Sequence, residues 1–287
     1  MNLINLTSVD LIVAALLVLA LAYLSQRMSL GISNTIVVAA IRTTVQLLLI
    51  GWVLKILFSH VHLAWVILMA LVMLLAAGRE VMVRQQRTFS GWWGFGLGTG
   101  SMFISSFVIT VLALLLITSS EPIPWYEPQY AVPLLGMLLG NTMTGVALGL
   151  DRLKEGAWQQ RDMIEARLSL GEDGTQAMGP IRRDSMRVGM IPIINAMAAA
   201  GIVSLPGMMT GQILAGSPPL DAVKYQILIM FLISAGTGFG TIAAVHFGAR
   251  RLFDGRDRLR LDRLCLRQPQ SFMSRVLKLT KHQPVES

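Results

Sequence analysis

Seven stretches of the chain are long and apolar enough to cross a lipid bilayer as helices. The hydrocarbon core of a bilayer is about 30 Å thick, which takes about 20 helical residues to span. The seven stretches lie near 9 to 25, 34 to 58, 62 to 78, 95 to 118, 130 to 150, 188 to 214 and 223 to 247. Hydrophobic residues make up 54% of the chain and charged residues 14%, which is typical of multi-pass membrane proteins. The sequence therefore predicts an all-α, polytopic membrane protein with about seven transmembrane helices.

The basic residues predict the orientation of these helices. Lysine and arginine follow the first and third stretches, recur between 151 and 190, and continue from Arg250 onward. The alternate connections hold almost none, apart from Lys224. Because basic connections stay in the cytoplasm, the N-terminus is expected outside and the C-terminus inside. The predicted parts are a transmembrane domain at 1–247, with a cytoplasmic loop at 151–187, and a basic cytoplasmic tail at 248–287.

The net charge of +8 raises the question of a nucleic-acid partner. The tail has only two aromatic residues, Phe253 and Phe272, too few for the base-stacking surface of a nucleic-acid groove. Contact with anionic membrane lipid, or a role in fixing topology alone, is the better interpretation. Cys265 is the single cysteine, so one chain can form neither a disulfide nor a cysteine metal cluster. No metal ligands can be assigned from the sequence.

The cytoplasmic loop contains EARLSLGEDGTQAMGPI, residues 165–181, which resembles the segment by which ABC permeases contact their ATPase subunit. Gly171 can take the left-handed conformation that ends a helix, and Asp173 can cap the next one. The pattern predicts a helix, a stiff turn and a second helix, with ATPase-coupling residues Glu165, Ala166, Gly171, Asp173 and Ile181. An ordinary amphipathic loop is the alternative interpretation.

Polar side chains inside the apolar stretches are costly in lipid and therefore informative. An arginine at the centre of a membrane helix costs about 2.5 to 3.5 kcal/mol on insertion scales. We expect Arg42, Gln46, Asn141 and Asn195 to line a translocation path or a subunit interface. The alternatives are that Arg42 reaches the membrane surface and that the amides only bond neighbouring helices.

The sixth stretch contains Pro192 and Pro206, each of which is expected to interrupt helical hydrogen bonding. Pro206 and Gly207 are the predicted hinge of a moving element. Glycines also recur four residues apart in several stretches, as at 96 and 100, 136 and 140, 145 and 149, 207 and 211, and 236 and 240. Such spacing favours close helix packing, a subunit interface or a moving gate.

Two expected motifs are absent from the sequence. It has no G-x4-G-K-[ST] phosphate-binding loop, so we expect no ATP hydrolysis by this chain. It also offers no pair of acidic residues within the membrane stretches, which disfavours a secondary metal-ion carrier.

Several segments together resemble the FetB-type iron-export ABC permeases, which are related to plant aluminium-tolerance membrane proteins. The similar segments are IRTTVQLLLIGWVLKILF from Ile41, PLLGMLLGNTMTGVALGL from Pro133, EARLSLG from Glu165, IRRDSMRVGMIP from Ile181 and GIVSLPGMMTGQILAGSPPLDAVKYQI from Gly201. The resemblance implies a permease homodimer with a separate ATP-binding subunit, which would hold ATP and Mg, and no cofactor in this chain. It also implies iron export, resistance to oxidative stress and a location in the bacterial inner membrane.

The substrate stays open at this point. The intramembrane side chains are mainly amides, hydroxyls and thioethers, whereas Fe2+ prefers carboxylate and imidazole ligands. A sugar nucleotide or another organic anion is therefore an alternative substrate, and a secondary metal carrier or a membrane scaffold that binds an ATPase is an alternative protein class.

Overall fold

Long helices account for most of the structure. The computed structural model describes residues 7–59, 61–119 and 124–266. The helices are α1 (Ser8–Arg27), α2 (Ser33–Ser59), α3 (Leu63–Val83), α4 (Trp93–Met102), α5 (Val108–Thr118), α6 (Pro128–Gln159), α7 (Arg161–Ser169), α8 (Gly174–Ala177), α9 (Gly179–Ala199), α10 (Gly207–Leu214) and α11 (Pro219–Arg251). A π-helical turn, Phe103–Phe107, makes α4 and α5 one continuous helix. Two short strands, β1 (Arg87–Phe89) and β2 (Leu264–Leu266), pair antiparallel.

Six helices in the described part of the chain are long and apolar enough to cross a membrane. They are α1, α2, α3, the continuous α4–α5 helix, α6 and α11. They coincide with six of the seven predicted stretches, so the predicted all-α, multi-pass membrane architecture is confirmed.

The remaining stretch, predicted at 188–214, is divided in the structure. Helix α9 ends at Ala199 and α10 begins only at Gly207. Between them Gly201 has a φ of +82°, and Pro206, which has no N–H to donate, precedes α10 in an extended conformation. The predicted break at Pro206 is confirmed, whereas Pro192 lies inside α9 without ending it.

Helix α6 lies at the centre of the bundle and packs closely on α9 and α11. A Cβ on Gly145 would come within 2.9 Å of the Gly189 carbonyl oxygen, and one on Gly149 within 3.3 Å of the Ser185 carbonyl oxygen. These two contacts show that α6 and α9 run antiparallel. Helices α1 and α2 lie at the periphery and pack chiefly on each other.

One end of the bundle is extended by non-membrane structure. Helix α6 continues nine residues beyond the predicted end at 150, and α11 continues to Arg251. Residues 252–266 then fold back toward α8, and β2 joins β1 next to the start of α4. Residues 267–287 of the predicted tail lie outside the described residues.

Candidate functional site

The segment from α7 to the start of α9 has the local conformation that its sequence predicts. Helix α7 is followed by Gly171 with a φ of +93°, and the Asp173 carboxylate Oδ1 accepts a hydrogen bond of 2.7 Å from the Gln176 backbone N–H. The second helix, α8, is only four residues long and leads directly into α9. Leu170, at the tip of the turn, is 85% exposed. We call residues 161–181 the coupling segment, after its predicted role.

Two isoleucines anchor the coupling segment to the bundle. Ile164 is fully buried, and Ile181 is buried against Gly156 of α6, where an added Cβ would lie 2.9 Å from the Ile181 Cγ2. Of the other predicted coupling residues, Glu165 forms an ion pair of 2.8 Å with Arg161, and Ala166, Gly171 and Asp173 are exposed. The segment thus has a buried side that holds it and an exposed side open to a partner.

Residues 252–266 support the coupling segment from one side. The Gly174 backbone N–H donates to the Asp257 carboxylate at 3.2 Å, and a Cβ on Gly174 would lie 2.8 Å from the Phe253 ring. Arg263 holds this chain in place by donating to the carbonyl oxygens of Arg251 at 2.7 Å and Phe253 at 3.0 Å.

The turn within these residues is fixed by Asp254. Its Oδ1 accepts hydrogen bonds of 2.9 Å from the backbone N–H groups of Arg258 and Arg256, and these bonds lower the pKa of the Asp254 carboxyl. The carboxylate therefore stays charged at neutral pH and keeps the turn closed.

The end of α6 is fixed to the β1 region by a second set of contacts. Arg87 forms an ion pair of 3.0 Å with Glu155, and its guanidinium lies 4.1 Å from the centre of the Trp158 ring. Lys154 is fully buried, donates to the side-chain oxygen of Gln85 and lies over the Phe89 ring. Sequence reasoning did not single out Lys154, because it stands among the charged residues Asp151, Arg152 and Glu155, a pattern typical of an exposed helix surface.

A polar face crosses the surface of α2, α3 and α6. Arg42 forms an ion pair of 3.0 Å with Glu80, and Arg84, one turn after Glu80, donates to the Thr144 hydroxyl at 3.3 Å. We define the polar face as Arg42, Glu80, Arg84 and Thr144. Sequence reasoning selected Arg42 but missed Glu80, because the glutamate lies beyond the predicted end of its span.

The other predicted path residues lie near this face or on α9. Gln46 is one turn from Arg42 and exposed, and the Asn141 amide donates to the Met137 carbonyl oxygen at 2.9 Å. The antiparallel register of α6 and α9 places Asn195 about two residues, or about 3 Å of helical rise, from the level of Asn141. Asn195 is also exposed. Asn141 and Asn195 therefore lie at a similar level of the bundle and are both exposed, but no hydrogen bond joins their side chains.

The polar face offers charge and hydrogen bonds rather than a metal-binding cluster. It presents two guanidinium groups, one carboxylate and one hydroxyl. Within the described residues there is no group of three or more His, Cys, Asp or Glu side chains placed to hold a metal ion.

Comparison with known proteins places the chain among membrane proteins of one family. The model of an uncharacterised protein family, UPF0014, matches residues 8–253. A UPF0014 membrane protein of Synechocystis is 36% identical over 240 residues, which are 82% of this chain and 90% of that protein. The probable iron export permease protein FetB of Escherichia coli is 32% identical over 265 residues, 90% of this chain and 97% of FetB.

Plant proteins show the same similarity. The protein ALUMINUM SENSITIVE 3 of Arabidopsis thaliana is 30% identical over 234 residues, which are 81% of this chain and 83% of that protein. No solved structure matches the chain. Among these relatives, FetB has a name that describes a membrane permease, which points to a transporter rather than an enzyme.

Proposed function

The chain belongs to the UPF0014 family, and we propose that it is the membrane-spanning permease subunit of an ABC transporter that exports iron from the cytoplasm. ATP and Mg would be held by a separate ATP-binding subunit, and the permease would act as a homodimer in the bacterial inner membrane. Export of iron would also protect the cell against oxidative stress.

The coupling segment carries this proposal. Its exposed tip, with Leu170 and Gly171, is mounted on a buried base formed by Ile164 and Ile181. That base contacts α6 directly and continues into α9, so a displacement of the tip reaches two central helices. A stiff, exposed helical turn joined to the core is what a subunit driven by an external ATPase requires.

The polar face supports the homodimer. The Arg42 side chain is 54% exposed on the protomer surface although its helix is long and apolar enough to span a membrane. Contact between a guanidinium and lipid is costly. A second copy of the chain that covers the polar face would remove Arg42 from lipid, and the two copies would enclose a water-accessible path between them. The interruption between α9 and α10, which includes Pro206 and Gly207, would then allow the outer part of the path to open.

The proposal of iron as the substrate rests on the similarity to FetB, which is named a probable iron export permease. One observation favours an organic anion, such as a sugar nucleotide, as the second candidate: the polar face has two arginines against one glutamate. Both candidates need the same coupling segment, so they differ in the solute and not in the mechanism.

The test is uptake into inside-out vesicles that contain the chain and its ATP-binding subunit. Radioactive Fe2+ and a radioactive sugar nucleotide are supplied in parallel, with and without ATP. ATP-dependent accumulation of iron, absent when the ATP-binding subunit is catalytically inactive, is the expected result. ATP-dependent uptake of the sugar nucleotide alone would replace iron as substrate, and uptake of either solute without ATP would contradict the ABC mechanism.

A further inference from the structure

A groove of about 650 Å³ lies between the start of α4 and the end of α11. Trp92 and Trp93 lie at the end of the groove where α4 begins, and Arg250 and Arg251 end α11 at the same level. Gly96 and Gly100 form its floor along α4. We call this feature the interfacial groove. None of its residues belongs to the coupling segment or to the polar face.

The charged end of the groove has the composition of a membrane surface. Trp92 is 85% exposed and Trp93 57% exposed, and tryptophan is enriched where lipid headgroups meet hydrocarbon. The Arg251 guanidinium lies 4.5 Å from the centre of the Trp93 ring. Neither Arg250 nor Arg251 forms an ion pair with a carboxylate of the described residues. Two positive charges are therefore available to an anion at this level.

The floor of the groove is empty and apolar. A Cβ built on Gly96 or on Gly100 would meet no atom within 4 Å. From Trp93 to Ile104, which also lines the groove, α4 and its π-helical turn rise about 16 Å. That is about half the thickness of the hydrocarbon core, so the groove is long enough to run from the membrane surface through one leaflet to about the middle of the bilayer.

We propose that the interfacial groove binds an anionic phospholipid, with the phosphate between Arg250 and Arg251 and an acyl chain along Gly96 and Gly100. Basic pockets between membrane helices at the membrane surface suit such headgroups. The chain's own end is a poor occupant, because residues 267–287 carry four basic residues and one acidic residue. A second copy of the chain is also a poor occupant, because a symmetric contact would place its arginine pair next to the first pair.

The site adjoins the coupling segment. Arg250 also lines a smaller cavity of about 230 Å³ together with Gly174, Arg182, Asp254 and Asp257. A phosphate on Arg250 would therefore sit beside the residues that support α8, and lipid occupancy would influence how firmly the coupling segment is held.

Native mass spectrometry of the purified full chain in detergent tests the proposal, with phosphatidylglycerol and phosphatidylcholine of identical acyl chains added in turn. The double variant Arg250→Gln/Arg251→Gln is compared with Arg256→Gln/Arg258→Gln, which removes the same charge from the exposed turn. We expect the affinity for phosphatidylglycerol to fall about fivefold for each arginine lost from the groove and to stay unchanged in the control. Equal losses in both variants would overturn the proposal.

A second pair of variants tests the acyl-chain floor. Gly100→Leu fills the groove, whereas Gly51→Leu adds the same side chain to α2, where a Cβ also meets no atom within 4 Å. Loss of phosphatidylglycerol binding in Gly100→Leu alone is the expected result. Unchanged lipid binding together with an altered oligomeric mass in Gly100→Leu would assign the groove to a second copy instead.

Discussion

At the scale of single residues, two cations in this protein are accommodated in opposite ways. Lys154 is fully buried, donates a hydrogen bond to the side-chain oxygen of Gln85 and contacts the Phe89 ring. Arg42 remains on the protomer surface and is neutralised by Glu80. A buried lysine that contacts an amide and a ring fixes structure, whereas an exposed ion pair on an apolar helix can exchange its partner for a solute.

The Arg42–Glu80 pair gives the first prediction. Glu80→Gln leaves the guanidinium without its counter-charge, and we expect the free energy of unfolding to fall by about 1 kcal/mol. The double variant Arg42→Gln/Glu80→Gln should recover part of that loss, because it removes both charges. Thermal unfolding in detergent, followed by tryptophan fluorescence, measures the stability of both variants. Asp221→Asn, which breaks the more exposed pair with Lys224, serves as control, and an equal loss there would contradict a special role for Glu80.

Gly145 gives the second prediction, because its surroundings leave no room for a side chain. A Cβ there would lie 2.7 Å from Thr237 Cγ2 and Thr241 Oγ1 and 2.9 Å from the Gly189 carbonyl oxygen. Gly145→Ala should therefore force α9 and α11 away from α6 and destabilise the protein by about 1 to 3 kcal/mol. Gly140→Ala, on the same helix, meets no atom within 4 Å and should be neutral or slightly stabilising. Similar unfolding temperatures for the two variants would contradict this packing.

At the scale of elements, the glycine pairs show what spacing in the sequence can and cannot predict. Glycines four apart at 145 and 149, and at 236 and 240, lie in close helix contacts, but those at 96 and 100 face open space. Spacing places two glycines on one face of a helix but says nothing of what lies opposite that face. Only the assembled bundle decides which pairs pack.

The same limit applies to the helix boundaries. Hydropathy predicted seven spanning stretches and located six of them correctly, because apolar length is a local property of the chain. It joined α9 to α10, since Gly201 to Leu205 are mostly apolar and only the backbone geometry at Gly201 and Pro206 separates the helices. Glu80 and Lys154 escaped selection for a related reason: their roles depend on partners in α2 and before β1.

Gly171 gives the third prediction, at the level of the coupling segment. Its φ of +93° is strained for any residue with a Cβ, although a Cβ would meet no atom within 4 Å. Gly171→Val should therefore change only the backbone of the turn, at a cost of about 1 to 3 kcal/mol, and should strongly reduce ATP-driven uptake in vesicles.

The matched control is Gly216→Val, in the connection between α10 and α11. Gly216 has a φ of +98° and equally open surroundings, so the strain is the same but lies away from the coupling segment. We expect Gly216→Val to retain ATP-driven uptake at equal amounts of protein. Equal loss of uptake in both variants would indicate a general effect of strain and contradict the coupling role.

At the scale of the whole molecule, distant parts of the chain meet at one end of the bundle. The coupling segment, the end of α6, the β1 strand and residues 252–266 contact one another there. The β1–β2 pair closes this assembly by joining the connection before α4 to the chain that follows α11. If the coupling segment transmits movement, this assembly must hold together as one unit.

The β1–β2 pair can be tested by a covalent bond, because the chain has a single cysteine. Thr88 lies opposite Cys265, and directly opposed residues of antiparallel strands have Cα atoms about 4.5 to 5.5 Å apart, within the range that a disulfide bridges. Thr88→Cys should therefore form an intrachain disulfide under mild oxidation, detected as loss of thiol alkylation without a dimer on a non-reducing gel. Thr118→Cys, at the far end of a 26-residue helix about 39 Å long, should leave both thiols open to alkylation.

If the strands pair as one unit with the coupling segment, the oxidised Thr88→Cys protein will keep ATP-driven uptake; loss of uptake restored by a reductant would show that the pair must open during transport.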